Sequence, residues 1–542
     1  VNLRPIPLFG IGNQAKSVNV NDQERLNLYV EVNEDPEKHV LTMYGTPGLL
    51  AFVNFGAFPS RGWYQLGNFN YIVNRDKFYR VANDGSYTQV GTLNTDSGRV
   101  DISDNGVQIM VVDGPNGYIY GVDLTPKTIS TITRVGTTAT LTTAEPHVLS
   151  TGMQITVSGA SPAQYNGTFT ITATGASTLT YVMASDPGSS ASPVGSYVIA
   201  SAFAQISDAD FPGADTVTFL NQRFIITEPN SGKFWCSQLI DGSSFDGLDF
   251  ATAEFAPDNL VRCMADSGQL YLYGTTTTEI WGDSGAADFP YAKVGGGAVE
   301  WGLEARWSLA KYMNSMAFLG RNRLGQVQVC LMAGAQVQPI SNPQVEAEFT
   351  TYGDTSNATG FAYMVNGHPF YQINFPTVGK SWLYDGQSRS WSRLESSGGL
   401  HRVQGAVQLL GTIYGADYQN GKLYKIEPDV YTDDGQPIAR EFVSRHQSIG
   451  DFTFIPELWL EMESGVGLQS GQGSDPQVMM QISRDGGHTW GNELWRSFGR
   501  VGQYLYRAVW RRLGRSRDWV FKFRVTDPVK VVFVAAWGRV TK

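Results

Sequence analysis

An all-β chain is what this sequence predicts, most simply a β-propeller of six or seven blades with a small inserted β-domain and a C-terminal β-sandwich-like domain. Three observations lead there. A unit of two β-prone runs around a turn recurs along most of the chain, as where Trp382-Leu383-Tyr384 and Trp391-Ser392-Arg393-Leu394 flank Asp385-Gly386-Gln387-Ser388. That is hairpin chemistry. Sixty glycines and an aromatic share of 12% favour many short strands and tight turns. Long polar helical stretches are few.

Taken in order, residues 1–60 do not read as a blade but as an N-terminal lead-in packed across later sheets, ending in the turn Tyr44-Gly45-Thr46-Pro47-Gly48. Residues 61–130 hold the first blades. Tyr71-Ile72-Val73, Lys77-Phe78-Tyr79-Arg80-Val81 and Thr88-Gln89-Val90 belong to one, and Ile109-Met110-Val111-Val112 with Tyr118-Ile119-Tyr120 to the next. Residues 131–200 change composition to Thr, Ser, Ala and Gly, with clean alternation in Thr138–Thr142, Met153–Val157, Gly167–Thr172 and Leu179–Val182. This predicts a small β-domain inserted in a propeller loop, with Asp186–Val194 as a flexible exit. Residues 201–430 supply the remaining blades, including Thr216–Phe250, Leu260–Val294 and Ser315–Ile340. Glu300–Met313 is the one helix expected. Residues 431–542 read as a C-terminal β-domain with longer strands, Trp459–Met462, Val478–Ser483, Val501–Trp510, Trp519–Val525 and Val531–Val540. A closed ring of such sheets buries repeated four-stranded meanders and leaves only short edges; a pair of β-sandwiches is the alternative that spacing alone leaves open.

Composition narrows the function classes. A net charge of −10 argues against a protein that coats nucleic acid through a broadly basic surface. Cys236, Cys263 and Cys330 are an odd number, far apart and without CxxC spacing, which argues against a disulfide framework or structural zinc and fits folding in a reducing cytoplasm. No stretch approaches the roughly 18 to 20 apolar residues of a membrane span, and the start lacks a basic region followed by an apolar core. Neither stable membrane insertion nor secretion by a signal peptide is expected.

Few constellations carry chemistry. Ser483-Arg484-Asp485-Gly486-Gly487-His488-Thr489-Trp490 matches the Asp box, S-x-D-x-G-x-T-W, of sialidases and other β-proteins, and Ser483, Asp485, Gly487 and Trp490 are its structural residues. Its Asp is expected to accept turn N–H groups and its glycines to take positive φ. Arg4-Pro5-Ile6-Pro7 resembles the sialidase arginine motif only superficially, because Pro5 breaks the spacing, and no arginine triad is visible. Glycoside hydrolysis needs two facing carboxylates; Asp208 with Asp210, Glu346 with Glu348, and Asp433 with Asp434 are candidates, although such pairs are common at turns. Asp208, Asp210 and Asp215 lack the Gly-bounded loop of a calcium site. His39, His147, His368, His401, His446 and His488 are isolated from one another, and no nucleophile elbow or P-loop occurs. No catalytic residue, metal or cofactor is therefore expected.

The terminal domain is locally basic. Arg496, Arg500, Arg507, Arg511, Arg512, Arg515, Arg517, Lys522 and Arg524 have Asp518 as the only acid among them, with Tyr504, Tyr506, Trp510 and Trp519 interleaved. Arg507, Arg511, Arg512, Arg515 and Arg517 are the candidates for contact with DNA phosphates or an acidic partner ring. A solvated face paired with acids from elsewhere in the chain is the plainer alternative.

Several phrases in order resemble the packaged-DNA stabilization (tail hub or nozzle) proteins of short-tailed bacteriophages. Arg25-Leu26-Asn27-Leu28-Tyr29-Val30-Glu31 with Gly45-Thr46-Pro47-Gly48 looks like their opening signature. Asp210-Phe211-Pro212, Phe250-Ala251-Thr252-Ala253-Glu254 with Pro257-Asp258, and Thr278-Glu279-Ile280-Trp281 look like their central one, followed by Leu319-Gly320 and Ile340-Ser341. Trp495-Arg496-Ser497 and Trp510-Arg511-Arg512-Leu513-Gly514 are similar to closing strands of phage tail proteins. The resemblance spans most of the chain outside 131–200. It implies a virion tail protein assembled in the host bacterial cytoplasm, forming a homo-oligomeric ring, expected to be six-fold, below the portal and head-to-tail adaptor. Tail fibres or spikes would sit alongside, and genomic DNA would be retained by, and ejected through, the lumen. A virion-associated glycan-binding or glycan-hydrolysing propeller is the alternative, and a fibre-docking module a third reading.

Overall fold

The computed structural model describes residues 3–33, 40–121, 126–147, 149, 151–200, 203–286 and 289–541. Among them one seven-residue helix, Pro343–Phe349, and two 3-10 turns stand in an otherwise all-β chain. The chain divides into two compact units, Ser60–Leu303 and a discontinuous one of Val1–Pro59 with Glu304–Lys542.

In the unit Ser60–Leu303, three antiparallel four-stranded meanders are continuous in sequence. They are Ser60–Leu66, Phe69–Asn74, Lys77–Ala82 and Tyr87–Thr92; Thr216–Leu220, Arg223–Thr227, Lys233–Gln238 and Asp241–Thr252; and Leu260–Asp266, Gln269–Gly274, Thr278–Asp283 and Tyr291–Val299. A further blade takes three strands from Asp101–Asp104, Gln108–Val112 and Gly117–Gly121. Its fourth, Phe203–Gln205, follows the insertion, with Tyr118 opposite Gln205 and Tyr120 opposite Phe203.

The unbroken apolar runs of the inner strands follow from this stacking. Successive strand side chains point to opposite faces, and both faces are covered. Ile109 and Val111 join Tyr71, Val73 and Phe78 in one core, whereas Met110 and Val112 join Val217, Phe224 and Ile226 in the next. Ile225 turns the other way, into a third core with Cys263, Leu270 and Leu272. Each such side chain contributes ~1.5–3 kcal/mol on full burial. The outer strand Tyr87–Thr92, exposed on much of its length, has no such run.

The inserted segment is a closed six-stranded barrel, Lys127–Val135, Thr138–Thr143, Thr178–Val182, Gly167–Gly175, Gln154–Ala160 and Val194–Ala200 in order around it. It has its own core, built on Leu141, Ile155, Tyr165, Leu179, Tyr181 and Ile199. The predicted flexible exit is tied down: Asp186 pairs with Arg134, Tyr165 donates its hydroxyl to the Ser189 carbonyl at 2.6 Å, and Val194 already opens a barrel strand.

The other unit holds three blades and the sandwich. Ala310–Tyr312, Ser315–Asn322, Val327–Ala333 and Gln336–Pro339 form one blade, and Thr359–Val365, His368–Phe375, Lys380–Asp385 and Ser390–Leu394 the next. In the last, Val403–Leu409, Thr412–Asp417 and Lys422–Glu427 are completed by Gly48–Asn54 from the start of the chain, with Leu49 opposite Ile426 and Val53 opposite Leu423. The lead-in also enters the sandwich. Arg4–Pro5 and Leu41–Gly45 pair with Val532–Thr541, and Leu28–Val32 pairs with Leu41–Gly45. Val532–Thr541 in turn pairs with Gln447–Met462.

Two secondary-structure expectations need correction. Glu300–Met313 is not a helix but strands Trp301–Leu303 and Ala310–Tyr312 around a 3-10 turn at Arg306–Ser308. Ser308 Oγ donates to the Ala305 carbonyl and accepts from Leu319 N, fixing a tight turn. The helix lies at Pro343–Phe349, where Asn342 Oδ1 accepts from Val345 N at 3.0 Å and Pro343 occupies the first turn. Val501–Trp510 is not one strand either: only Ala508–Arg511 is, because Gly499 and Gly502 take φ of 109° and 84° and turn the chain before it.

Candidate functional site

The opening phrase Arg25–Glu31 is a junction. Arg25 is fully buried and meets oxygen acceptors: Nη1 donates to the carbonyls of Gly10 (2.8 Å) and Gly12 (3.0 Å), Nη2 to that of Trp391, and Nε to Ser392 Oγ (3.3 Å). Desolvation lowers its pKa to about 10, so it stays a cation at neutral pH. Asn27 sits at φ 53°, which Asn tolerates. Its Nδ2 donates to the carbonyls of Glu395 and Ala439, linking the blade strand Ser390–Leu394 to the sandwich strand Arg440–Val443. Gly48 is equally constrained: a Cβ there would lie 2.3 Å from the Val430 carbonyl oxygen and 2.5 Å from that of Thr432. Neither residue was assigned a role from sequence, since their partners lie hundreds of positions away.

The Asp box forms a turn. Asp485 Oδ1 accepts from Ser483 Oγ (2.7 Å) and Thr489 N (2.9 Å), and Oδ2 accepts from Thr489 Oγ1 (2.6 Å). The Thr489 side chain first, then Ser483, holds the carboxyl well below its ordinary range. Gly487 N donates to Ser483 Oγ, Gly486 and Gly487 take positive φ, and Trp490 lies under Lys522 Nζ, 4.5 Å from its ring centre. Sequence reasoning missed what packs on this turn. His488 Nε2 meets Asn19 Oδ1 at 2.9 Å, Asp22 lies against Gly487, and His446 bridges Asp518 (2.7 Å) and the Val18 carbonyl (2.8 Å). The turn is a cradle for residues 18–22.

The five candidate arginines are all exposed but fall into separate settings. Arg511 Nε donates to Glu457 Oε1 at 3.0 Å, and Arg539 shares that carboxylate at 3.5 Å. Arg507 covers the Trp459 ring at 5.4 Å, while Arg515 and Arg517 flank Phe452 at 4.5 and 4.6 Å. Arg512, at φ 62°, ends the strand with its N–H on the Pro456 carbonyl. Just before them, Trp495, Val501, Tyr504, Leu505 and Tyr506 are exposed, Leu505 at 96%.

Members of each carboxylate pair are engaged in hydrogen bonds within the fold. Asp208 accepts from the N–H groups of Asp210 and Phe245, Glu346 from Gln328 and Ser341, Glu348 from the Tyr352 hydroxyl, and Asp434 from Lys422. His368 is buried against Asp385 at 3.0 Å, and His39 lies outside the described residues. The three cysteines are buried and free; burial pushes the thiols of Cys236 and Cys263 up to about 12. Among the described residues no group of three or more His, Cys, Asp or Glu side chains is arranged to hold a metal ion, and no helix is long and apolar enough to cross a membrane.

Residues 4–431 match the family model described as bacteriophage P22 Gp10, beta-propeller, and residues 431–540 the one described as bacteriophage P22 Gp10, beta-sandwich. The chain belongs to the bacteriophage P22 Gp10 family. It is a phage tail structural protein, and its fold class is that of the P22 Gp10 family, an all-β propeller followed by a C-terminal β-sandwich. The propeller model begins at residue 4, so it includes the strands that the structure places in the sandwich and in the last blade. No curated protein matches the chain in sequence. Solved structures similar to it include the phage phi92 endosialidase, with TM-score 0.35 and 12% identity over 92% of this chain and 72% of that one. Others are the WD40 beta propeller domain of Doa1 (0.33, 10%, 70% and 96%) and the computationally designed Ika8 protein (0.32, 8%, 70% and 99%).

Proposed function

We propose that this chain is the tail nozzle of a short-tailed phage, assembled in the host cytoplasm as a ring, six-fold by the family resemblance, below the portal and head-to-tail adaptor. Fibres or spikes attach alongside, and genomic DNA is retained behind, then ejected through, its lumen. The observation that carries this reading is the match to both P22 Gp10 models, end to end along the chain. The charge supports it. A duplex carries one negative charge per ~1.7 Å of axis, so an acidic lumen lets it slide where a basic one would grip it, and the chain carries a net −10. Retention then comes from closure at the tip. The arginines of the sandwich act in subunit contacts on this reading, since Arg511 is already engaged by a carboxylate and the strip is interleaved with exposed aromatic side chains.

The test is the copy number of this chain per portal ring in purified, DNA-filled particles, measured by quantitative mass spectrometry. Half the portal's copy number is expected. Absence from the particle, or a fibre-like stoichiometry, would overturn the nozzle. Reversing charge at Arg511 and Arg512 should impair assembly; normal assembly with altered DNA ejection would place the cluster in the lumen.

A further inference from the structure

The sandwich exposes two apolar surfaces at opposite edges of one sheet. Its strands lie in the order Leu28–Val32, Leu41–Gly45, Val532–Thr541, Gln447–Met462 and Ala508–Arg511. At ~4.8 Å between neighbours, the two edges stand about 20 Å apart. At the first edge, Leu41–Gly45 leaves Val532–Thr541 after Phe533, and the lead-in joins it only from Ala536, whose carbonyl accepts from Ile6 N, and Trp537, opposite Pro5. The gap is a groove of about 730 Å³, floored by Ala535 and Ala536 and walled by Ile6, Ile11, Val32 and Val40. Among the described residues, Arg445 is the one charged side chain lining it.

At the other edge the chain enters Ala508–Arg511 from a turn that is held in shape. Gln503 N donates to the Arg500 carbonyl, Gln503 Oε1 accepts from Arg500 N, Arg500 pairs with Asp475 at 3.1 Å, and Phe498 is buried. This turn presents Tyr504 and Leu505, 73% and 96% exposed, with Tyr506 beside them. A preorganised tip of aromatic and aliphatic side chains flanked by arginines has the composition of a protein–protein anchor. The groove is of a size, within ~300–1,000 Å³, that admits a few bulky side chains.

Charge selects the occupant. Residues 494–517 contain seven arginines and no acid, which leaves 33 basic against 50 acidic side chains in the other 518 residues. Two such tips facing each other would bring like charges together, whereas a tip against the opposite edge of another copy approaches a body that is acidic on balance. The tip itself, Val501–Tyr506, is uncharged, so Arg445 does not repel it, and the tyrosine hydroxyls are acceptors for that guanidinium.

We infer that the Tyr504–Tyr506 tip of one copy seats in the groove of the next copy, which rests on the ring reading above and names its contact. Because tip and groove are different surfaces, the contact is head to tail, the kind that forms a ring when the rotation between copies closes.

The test uses full-length Val32→Cys and Leu505→Cys chains; Cys236, Cys263 and Cys330 are buried, so new cross-links are assignable. On mild oxidation a disulfide-linked dimer is expected in the mixture and not from either variant alone. No cross-link in the mixture, or an equally efficient one from L505C alone, overturns the contact. Leu505→Asp, at a solvent-exposed position, should leave the unfolding temperature unchanged and weaken self-association more than tenfold; unchanged self-association also overturns it. If the wild-type chain sediments as a ring while the mixture fails to cross-link, this contact is wrong and the ring stands. If wild-type particles lack ring stoichiometry, the nozzle reading itself fails.

Discussion

Two blades of this protein are completed by a strand distant in sequence, and they achieve it in opposite ways. The blade of Asp101–Gly121 receives Phe203–Gln205 after a detour through a whole barrel, whereas the blade of Val403–Glu427 receives Gly48–Asn54 from the other end of the chain. The barrel's core, Ile129 to Ile199, shares no residue with the blade cores, so the detour is self-sufficient. Among its described residues the lead-in has no core of its own. Ile6, Leu8, Leu28 and Val30 belong to the sandwich core, and Tyr29 and Leu49 to a blade core. An insertion that folds on itself adds a module; a segment that lends its side chains to two cores ties them together.

The largest test of that contrast is Gly48→Val. A side chain at Gly48 meets two backbone oxygens that cannot move aside without breaking the Val430–Thr432 turn. A loss above ~4 kcal/mol is expected, read as failure to recover soluble, cooperatively unfolding protein. Arg25→Leu comes next. It strands the carbonyls of Gly10, Gly12 and Trp391, at about 1–3 kcal/mol each, so urea unfolding should show at least ~3 kcal/mol lost. If either variant unfolds like the wild type, the lead-in is not a tie.

Much of this was legible in the sequence where pairing is local. Hairpins such as Trp382–Tyr384 with Trp391–Leu394 are fixed by their own turns, and two-sided burial wrote itself as unbroken apolar runs like Ile109–Val112. Asn342-Pro343 with Glu346 is likewise a local helix start, though Glu300–Met313 drew attention from it. Val501–Trp510 looked like one strand because aromatic and aliphatic side chains suit strands, but Gly499 and Gly502 turn the backbone before Ala508. The Asp box was readable because its hydrogen bonds span a few residues. Arg25 was not, since its acceptor on Trp391 is 366 positions away, and Arg511 found Glu457 54 positions off.

A smaller effect is expected where the lead-in rests on the Asp box. Asp485 has a folded pKa below its unfolded one, chiefly through Thr489. Its contribution is therefore fully present above the unfolded value of ~3.9 and is lost as pH falls toward the folded value. Asp485→Asn should lower the unfolding temperature at neutral pH, and the gap should close on acidification below ~3.9. A gap independent of pH would mean that the turn draws its stability from the glycines and Trp490 rather than from the carboxylate. Loss of the Asn19 and His488 contact in the same variant, seen as faster proteolysis within residues 17–22, would show that the cradle holds the lead-in.

The smallest effect belongs to the barrel. Replacing residues 122–202 by a short Asn-Gly turn joins Gly121 to Phe203, and across the blade Tyr120 already lies opposite Phe203 and Ile119 opposite Ala204. The four-stranded sheet stays complete, and the cores around Ile109 and Met110 lose none of their members. The unfolding temperature of the remaining chain should change by no more than about 2–4 °C, the shift of ~1 kcal/mol. The excised segment 126–200, with its closed barrel, should unfold cooperatively by itself. A large drop in the shortened chain would mean that the barrel braces the blade it interrupts, through Thr151–Gln154 where they line a crease with Gly121 and Ile206. The two blades completed from a distance would then differ only in which segment ties them, and an insertion with a separate core would have acquired the same structural duty as the lead-in.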